Sequence, residues 1–243
     1  MSTDRAPGLP HPIRALRAPD RRAAWSEAAG LLEFPRLLVR APALARAPRG
    51  DGAPVMVLPG FATGDGATAI LRAYLSFLGH DVHPWGLGRN DGDVPRLLAL
   101  LVARVTSLAR ATGRPVRLVG WSLGGYLARE VSREIPADVD RVVTLGAPVV
   151  GGPKYTLSAR AYRRRGVDLD AIEAAVAARE AVPLTRPVFA IYSRRDGVVA
   201  WQACVDQRNG CVEHVEVSST HLGLAFSPDV YLLVASHLSR NVM

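Results

Sequence analysis

A serine, an aspartate and a histidine stand in this chain in an order that could make a hydroxyl nucleophilic. Ser122 sits in Gly120-Trp121-Ser122-Leu123-Gly124-Gly125, after an apolar run at residues 116–119 and before a helix-forming stretch at 126–134. Strand, sharp turn and helix is the context in which Gly-x-Ser-x-Gly lifts a serine hydroxyl clear of the backbone. Gly120 and Gly124 carry no Cβ, so strand and helix can close on the turn from both sides. The helix that begins there points free N–H groups and its positive end at the place where an oxyanion would form. A serine remains a weak nucleophile until a base takes its proton and a third group holds that base. Asp196 follows the apolar run 188–192 and His221 follows the run 212–217, so both fall just beyond strand ends. Serine, acid, histidine is also the chain order this architecture requires.

The competing residues are poorly placed. His11 lies near the N-terminus, and His80 and His83 precede the serine. His214 opens the last strand, at the wrong end of the sheet, His237 falls in a terminal helical segment, and Asp206 reads as helical. Singly, the pentapeptide could be a solvated glycine-rich turn, Asp196 an Asp-Gly turn and His221 a surface histidine. Together, in order and at strand ends, they point to acyl chemistry. Such chemistry needs two preorganised N–H donors for the oxyanion. One is expected from Leu123, directly after the serine. The other is expected from Phe61, in the loop after the first strand, where Gly60 lets the backbone turn inward. The apolar side chains of Phe61, Trp85 and Leu87 could line an acyl pocket.

These residues need a sheet to position them. Residues 54–58 form a continuous apolar run, as in a parallel strand buried on both faces. The loop 59–66 leads to a helix at 68–78 with Thr63 or Asp65 as its cap, then a strand at 81–85 and a loop at 86–93. An amphipathic helix at 94–112 stops at Gly113. Further strands are expected at 140–146, 188–192 and 212–217, with helices at 169–180 and 228–238. Strands alternating with helices mean an α/β fold of about six mainly parallel strands with helices on both faces. Residues 51–243 make up this domain, and 154–185 form a short lid-like insertion. Residues 1–50 are an N-terminal arm and helix. The arm, 1–19, rich in Pro, Arg and Ala, is expected to be mobile. The helix, 21–34, starts at Asp20 and is interrupted by Pro35. Leu31, Leu32, Phe34, Leu37, Leu38 and Val39 give it an apolar side for packing on the main body, and a linker follows through Pro42, Pro48 and residues 50–52.

The chain resembles the α/β-hydrolase superfamily, and more narrowly its bacterial lipase and esterase branch. The resemblance rests on Leu58-Pro59-Gly60-Phe61, the segment Gly120 to Gly125, Thr144-Leu145-Gly146-Ala147-Pro148, Asp196-Gly197-Val198-Val199 and Ser219-Thr220-His221-Leu222-Gly223-Leu224. It covers residues from about 54 to the C-terminus. It implies a minimal α/β-hydrolase fold with an open cleft and no large cap domain, and no antiparallel strand pair is visible before Val55. The implied activity is hydrolysis of a small-molecule or lipid ester through an acyl-Ser122 intermediate, with no cofactor and no metal. His221 would act as base and then acid, with Asp196 orienting it. An acyltransferase or thioesterase would use the same triad. A non-catalytic binding scaffold is the reading from a different class.

Composition bounds the rest. The 243 residues, 49% apolar and 21% charged, can bury a substantial core. The net charge is +8, and among 30 basic residues only Lys154 is lysine. The arginines are spread along the chain in short runs such as Arg163-Arg164-Arg165, and no nucleic-acid motif accompanies them, so no nucleic-acid partner is expected. Contact with an anionic membrane surface is a weaker alternative. Residues 1–7 lack the apolar stretch of a secretory leader, so the expected location is the cytoplasm. Cys204 and Cys211 are either reduced thiols or a disulfide.

Overall fold

The computed structural model describes residues 16–20 and 23–240. Six strands form one parallel sheet: β1 (Pro54–Leu58), β2 (Asp81–Pro84), β3 (Val116–Trp121), β4 (Val139–Leu145), β5 (Val188–Tyr192) and β6 (Val212–Glu216). Their order is β2-β1-β3-β4-β5-β6, and every neighbouring pair is parallel. The chain first steps from β1 outward to β2, then crosses back to place β3 on the other side of β1. That reversal makes a crevice at the carboxyl ends of β1 and β3, where ligands of open α/β sheets bind.

The helices are α1 (Ala23–Ser26), α2 (Glu33–Val39), α3 (Ala41–Ala45), α4 (Ala69–Phe77), α5 (Val94–Thr112), α6 (Leu123–Glu134), α7 (Ala159–Arg164), α8 (Leu169–Arg179), α9 (His221–Leu224) and α10 (Pro228–Ser239). All five residues of β1 are buried, because alternate side chains feed two cores. Met56 and Leu58 pack with Leu97, Leu101 and Leu127 under α5 and α6. Val55 and Val57 pack with Leu71, Leu75, Tyr231 and Val234 under α4 and α10. The limits of α5 follow from local chemistry. The Asp93 carboxylate accepts from Arg96 N at its start, and Gly113 adopts the left-handed conformation at its end.

Several local expectations are corrected. Neither Thr63 nor Asp65 caps α4. A 3-10 turn, Asp65–Thr68, precedes that helix, and the Asp65 carboxylate instead accepts from the backbone of Trp85 (3.0 Å) and Gly86 (3.2 Å). The lid-like stretch contains α7 as well as α8. Asp206 lies in a loop rather than a helix, and His214 lies inside β6, where its Nε2 accepts from Asp206 N. Pro42 does not open a linker; it sits in the first turn of α3, where a missing N–H costs nothing.

The N-terminal segment departs furthest from expectation. Residues 1–15, most of the expected arm, and Arg21 and Arg22 lie outside the described residues. From Ala23 the chain forms α1, a 3-10 stretch (Glu27–Leu32) and then α2, with Pro35 inside the first turn of α2 rather than ending a helix. Leu31, Leu32, Leu38 and Val39 are exposed, and only Leu37 and Phe34 of the expected apolar side reach the body. The residues turned inward are Glu27, Gly30 and Glu33. Glu27 meets backbone N–H groups and Glu33 meets the Ser219 hydroxyl, donors that carboxylates satisfy and leucines cannot.

A buried ionic network ties α6 to the insertion. Arg129 pairs with Glu180 (2.9 Å) and with Asp206, and Arg133 reaches Glu180 (3.1 Å). Glu130, fully buried, receives Arg133 and Arg179. Burial alone would raise the Asp206 carboxyl, but Arg129 and the N–H groups of Arg208 and Asn209 hold it below its ordinary range. A carboxyl depressed in the folded state contributes stability above its unfolded pKa and loses that contribution as pH falls through the folded value. Asp206→Ala is expected to cost about 3–5 kcal/mol at neutral pH, since Arg129 is left buried and short of a partner. Urea unfolding below about pH 4, near the unfolded carboxyl pKa, should show a shallower acid dependence for Asp206→Asn than for wild type.

Candidate active site

The turn between β3 and α6 is built by backbone in direct contact with backbone. A Cβ on Gly120 would collide with the carbonyl of Gly124, and one on Gly124 would collide with the carbonyls of Leu58 and Pro59. Only glycine admits this approach of β1, β3 and α6. Ser122 itself sits at φ 55°, ψ −123°, a conformation that L residues adopt at a cost. Its N–H bonds to Leu145 O (2.7 Å), which anchors the turn to β4. The result is a partly exposed serine at the crevice.

The loop after β1 lies against this turn: a Cβ on Gly60 would stand 3.3 Å from Ser122 Cβ. Asn90, fully buried, fixes that loop. Its side chain donates to Pro59 O (3.0 Å), its N–H donates to Thr63 O (2.8 Å), and its carbonyl accepts from Ala62 N (2.7 Å). Among the described residues the Phe61 N–H has no protein acceptor. Leu123 is the first residue of α6, so its N–H belongs to the helix terminus that has no intrahelical partner. In the sequence Asn90 is one residue of the loop 86–93, read as able to shape access to the site and not as the group that holds the loop after β1.

Asp196 and His221 meet. Asp196 Oδ2 lies 2.6 Å from His221 Nδ1, and both side chains are buried. Asp196 Oδ1 accepts from Val198 N (2.9 Å) and Val199 N (2.7 Å), so the carboxylate is held from both sides. Room for the pair comes from Gly146 at the end of β4, where a Cβ would stand 3.1 Å from both Asp196 Oδ2 and His221 Nδ1. Trp121 joins the histidine to the turn: its Nε1 donates to His221 O (3.1 Å), and the two rings lie 5.5 Å apart.

Ser122 and His221 line one cavity of about 810 Å³. Its walls are largely apolar, with Phe61, Leu98 and Tyr126 from the main body and Tyr162, Ile172 and Val176 from the insertion. Tyr162 stacks on Phe61 (5.2 Å), and burial pushes its hydroxyl up to about 12. Two expected lining residues are elsewhere. Trp85 is fully buried in the core and donates through Nε1 to Gly88 O (3.0 Å). Leu87 lines a separate cavity with Met56, His83 and Arg104. Both follow β2, whose loop is held back against the body by Asp65. Cys204 and Cys211 are free thiols, and burial raises both, with Asp196 adding to the effect at Cys204. Among the described residues no group of three or more His, Cys, Asp or Glu side chains could hold a metal ion.

The strained turn makes a measurable prediction. Ser122→Gly should be more stable than Ser122→Ala by about 1 kcal/mol, because relief of about 1–3 kcal/mol of strain is partly offset by the freer unfolded chain. Chemical denaturation of the two variants side by side checks this.

No protein-family model and no curated protein matches the chain. Solved structures do match it. A lipolytic enzyme of the metagenome-derived LipS and LipT pair aligns with TM-score 0.60 and 17% identity, over 79% of this chain and 94% of its own. The α/β-hydrolase domain-containing protein 10 from mouse aligns with TM-score 0.55 and 20% identity, over 78% of this chain and 89% of its own. The 2-hydroxy-6-oxo-6-phenylhexa-2,4-dienoate hydrolase from Rhodococcus aligns with TM-score 0.57 and 14% identity, over 79% of this chain and 92% of its own. At these identities what is shared is the architecture, and the chain has the α/β-hydrolase fold.

Proposed function

We propose that this protein hydrolyses carboxylic esters with an apolar acyl group through an acyl-Ser122 intermediate. The observation that carries the reading is the buried 2.6 Å contact between Asp196 and His221, at the wall of the cavity that Ser122 enters on a strained turn. With Nδ1–H donated to Asp196, the His221 Nε2 lone pair is free to take the Ser122 proton. The serine Oγ attacks the ester carbonyl, and the oxyanion is received by the N–H groups of Leu123 and Phe61. His221 then returns the proton to the departing alcohol. Water repeats the cycle on the acyl-enzyme, with His221 as base and Ser122 as the leaving group.

The cavity argues for the substrate class. A volume of about 810 Å³ falls among pockets of about 300–1,000 Å³ that bury most of a drug-sized ligand. Its apolar walls favour an acyl chain over a polar one. The insertion supplies one wall, so α7 and α8 set the depth of the acyl site. Arg165 lies over the Phe61 ring (5.5 Å) and Arg179 pairs with Glu134 (2.8 Å), which places two cations among the lining residues.

Hydrolysis of p-nitrophenyl esters of increasing chain length tests this reading. Turnover is expected to rise with chain length to a maximum at medium or long chains. Ser122→Ala and His221→Ala should each lower kcat by about 10⁴-fold or more. Val176→Trp, which fills the apolar wall, should move the maximum to shorter chains while leaving the shortest ester nearly unaffected. Absence of turnover in folded wild-type protein would overturn ester hydrolysis. Stoichiometric labelling of Ser122 by a serine-directed phosphonate in such a protein would redirect the reading to acyl transfer.

A further inference from the structure

Glu27 is far from the Ser122 site in sequence and touches it through three hydrogen bonds. Its carboxylate is buried and, among the described residues, accepts from three backbone N–H groups: Gly197 (2.7 Å) and His221 (3.1 Å) on Oε1, and Leu222 (2.8 Å) on Oε2. Gly197 follows Asp196 directly, and His221 is the histidine itself. One carboxylate therefore bonds to both the loop after β5 and the loop after β6. These loops lie 170 and 194 residues from Glu27 along the chain. Charge-assisted bonds of this kind are short and about twice as strong as neutral ones.

The surrounding contacts repeat the same attachment. Glu33 Oε1 accepts from Ser219 Oγ (3.2 Å), and its other oxygen is held by Arg36 (2.7 Å), which also pairs with Asp229 of α10 (2.8 Å). Gly30 lets the 3-10 stretch come so close that a Cβ there would stand 2.6 Å from Thr220 Oγ1. The two loops have a second link in Ser193 Oγ, which accepts from Arg195 N (3.0 Å) and Ser219 N (3.3 Å). That link joins the loops nearer their strands. Arg195 Nη1 adds a bond to Ser218 Oγ (3.3 Å), and Glu27 bonds the backbone of both loops directly beside Asp196 and at His221.

Resting on the roles proposed above for Ser122, Asp196 and His221, we infer that Glu27 is a positioning residue: its carboxylate holds the acid loop and the histidine loop in the register that keeps Asp196 Oδ2 on His221 Nδ1. The imidazole must face both Ser122 and Asp196, and sub-ångström placement governs such a relay. The N-terminal segment thus completes the site without touching substrate.

The test compares Glu27→Ala, Glu27→Gln and Asp229→Asn with wild type in the full chain, using the best p-nitrophenyl ester, a serine-directed phosphonate, and the far-downfield proton resonance of the His221 Nδ1–H···Asp196 bond. For Glu27→Ala, kcat and the phosphonate labelling rate should both fall by about 10²-fold, with KM near wild type and the resonance lost. Glu27→Gln keeps an oxygen for Gly197 and His221 but sets an amide N–H against Leu222, so kcat should fall by roughly tenfold and the resonance should shift. Asp229→Asn weakens the hold on Arg36 and α2 without touching either loop, and should keep wild-type kcat. Folded Glu27→Ala with wild-type kcat and an unchanged resonance overturns the inference. So does an Asp229→Asn loss as large as that of Glu27→Ala, which marks a general structural effect. If Glu27→Ala does not fold, an unchanged kcat and resonance in Glu27→Gln overturns it. Wild type that neither turns over ester nor is labelled removes the hydrolase reading and this role together. Wild type active and labelled, with Glu27→Ala its equal, removes this role alone.

Discussion

The contact that the rest of the structure depends on is the meeting of three backbones at Gly120 and Gly124. With no side chains between them, β1, β3 and α6 approach to a distance that any Cβ would forbid. From that approach follow the positive φ of Ser122 and the start of α6 directly after it. It also fixes where the crevice lies, because β1 and β3 are the pair at which the strand order reverses. A Cβ here would meet backbone, which cannot swing aside as the end of a flexible side chain can.

Around this fixed point, carboxylates organise the loops of the fold. Loops beyond strand ends present backbone N–H groups that have lost their ladder partners, and burying them unpaired costs free energy. Asp196 takes two such groups, Asp65 two from the loop after β2, Asp206 two from Arg208 and Asn209, and Glu27 three. Each ties a loop to a place where hydrophobic contact could not. The network of Arg129, Arg133, Glu130 and Glu180 does the same between α6 and the insertion. Buried ion pairs add little net stability, but a half-broken one is costly, so the network sets where the insertion docks more than how firmly the protein folds.

The arrangement divides the work. The sheet and α6 hold Ser122, the loops after β5 and β6 hold Asp196 and His221, and the insertion supplies an apolar wall. The exposed leucines of the N-terminal segment show that it is attached by polar contacts more than by a core of its own. A mostly polar attachment is specific in geometry, because hydrogen bonds have direction and apolar contacts have little.

How much of this was legible depended on the range of the interaction. The apolar runs at β1, β3 and β5, the limits of α5, and the glycines flanking Ser122 all reflect local rules of periodicity, capping and steric access, and the sequence states them directly. The chain order of Ser122, Asp196 and His221 was readable because residues just past parallel strands must emerge on one edge of the sheet. Whether Asp196 and His221 touch is a matter of ångströms, and only the packing of Gly146, Trp121 and the two loops decides it. Trp85 and Leu87 looked like pocket residues because hydrophobicity does not say which side of a loop faces a cavity. Leu31, Leu32, Leu38 and Val39 looked like a packing face for the same reason. Glu27 left no trace in the sequence, since its partners are backbone N–H groups more than a hundred and fifty residues away and no side-chain type announces them. The sequence by itself determined the elements, their order and the residue types at the sheet edge. The tertiary structure decided which groups meet there, because that outcome is fixed by long-range packing and hydrogen bonding that no local pattern encodes.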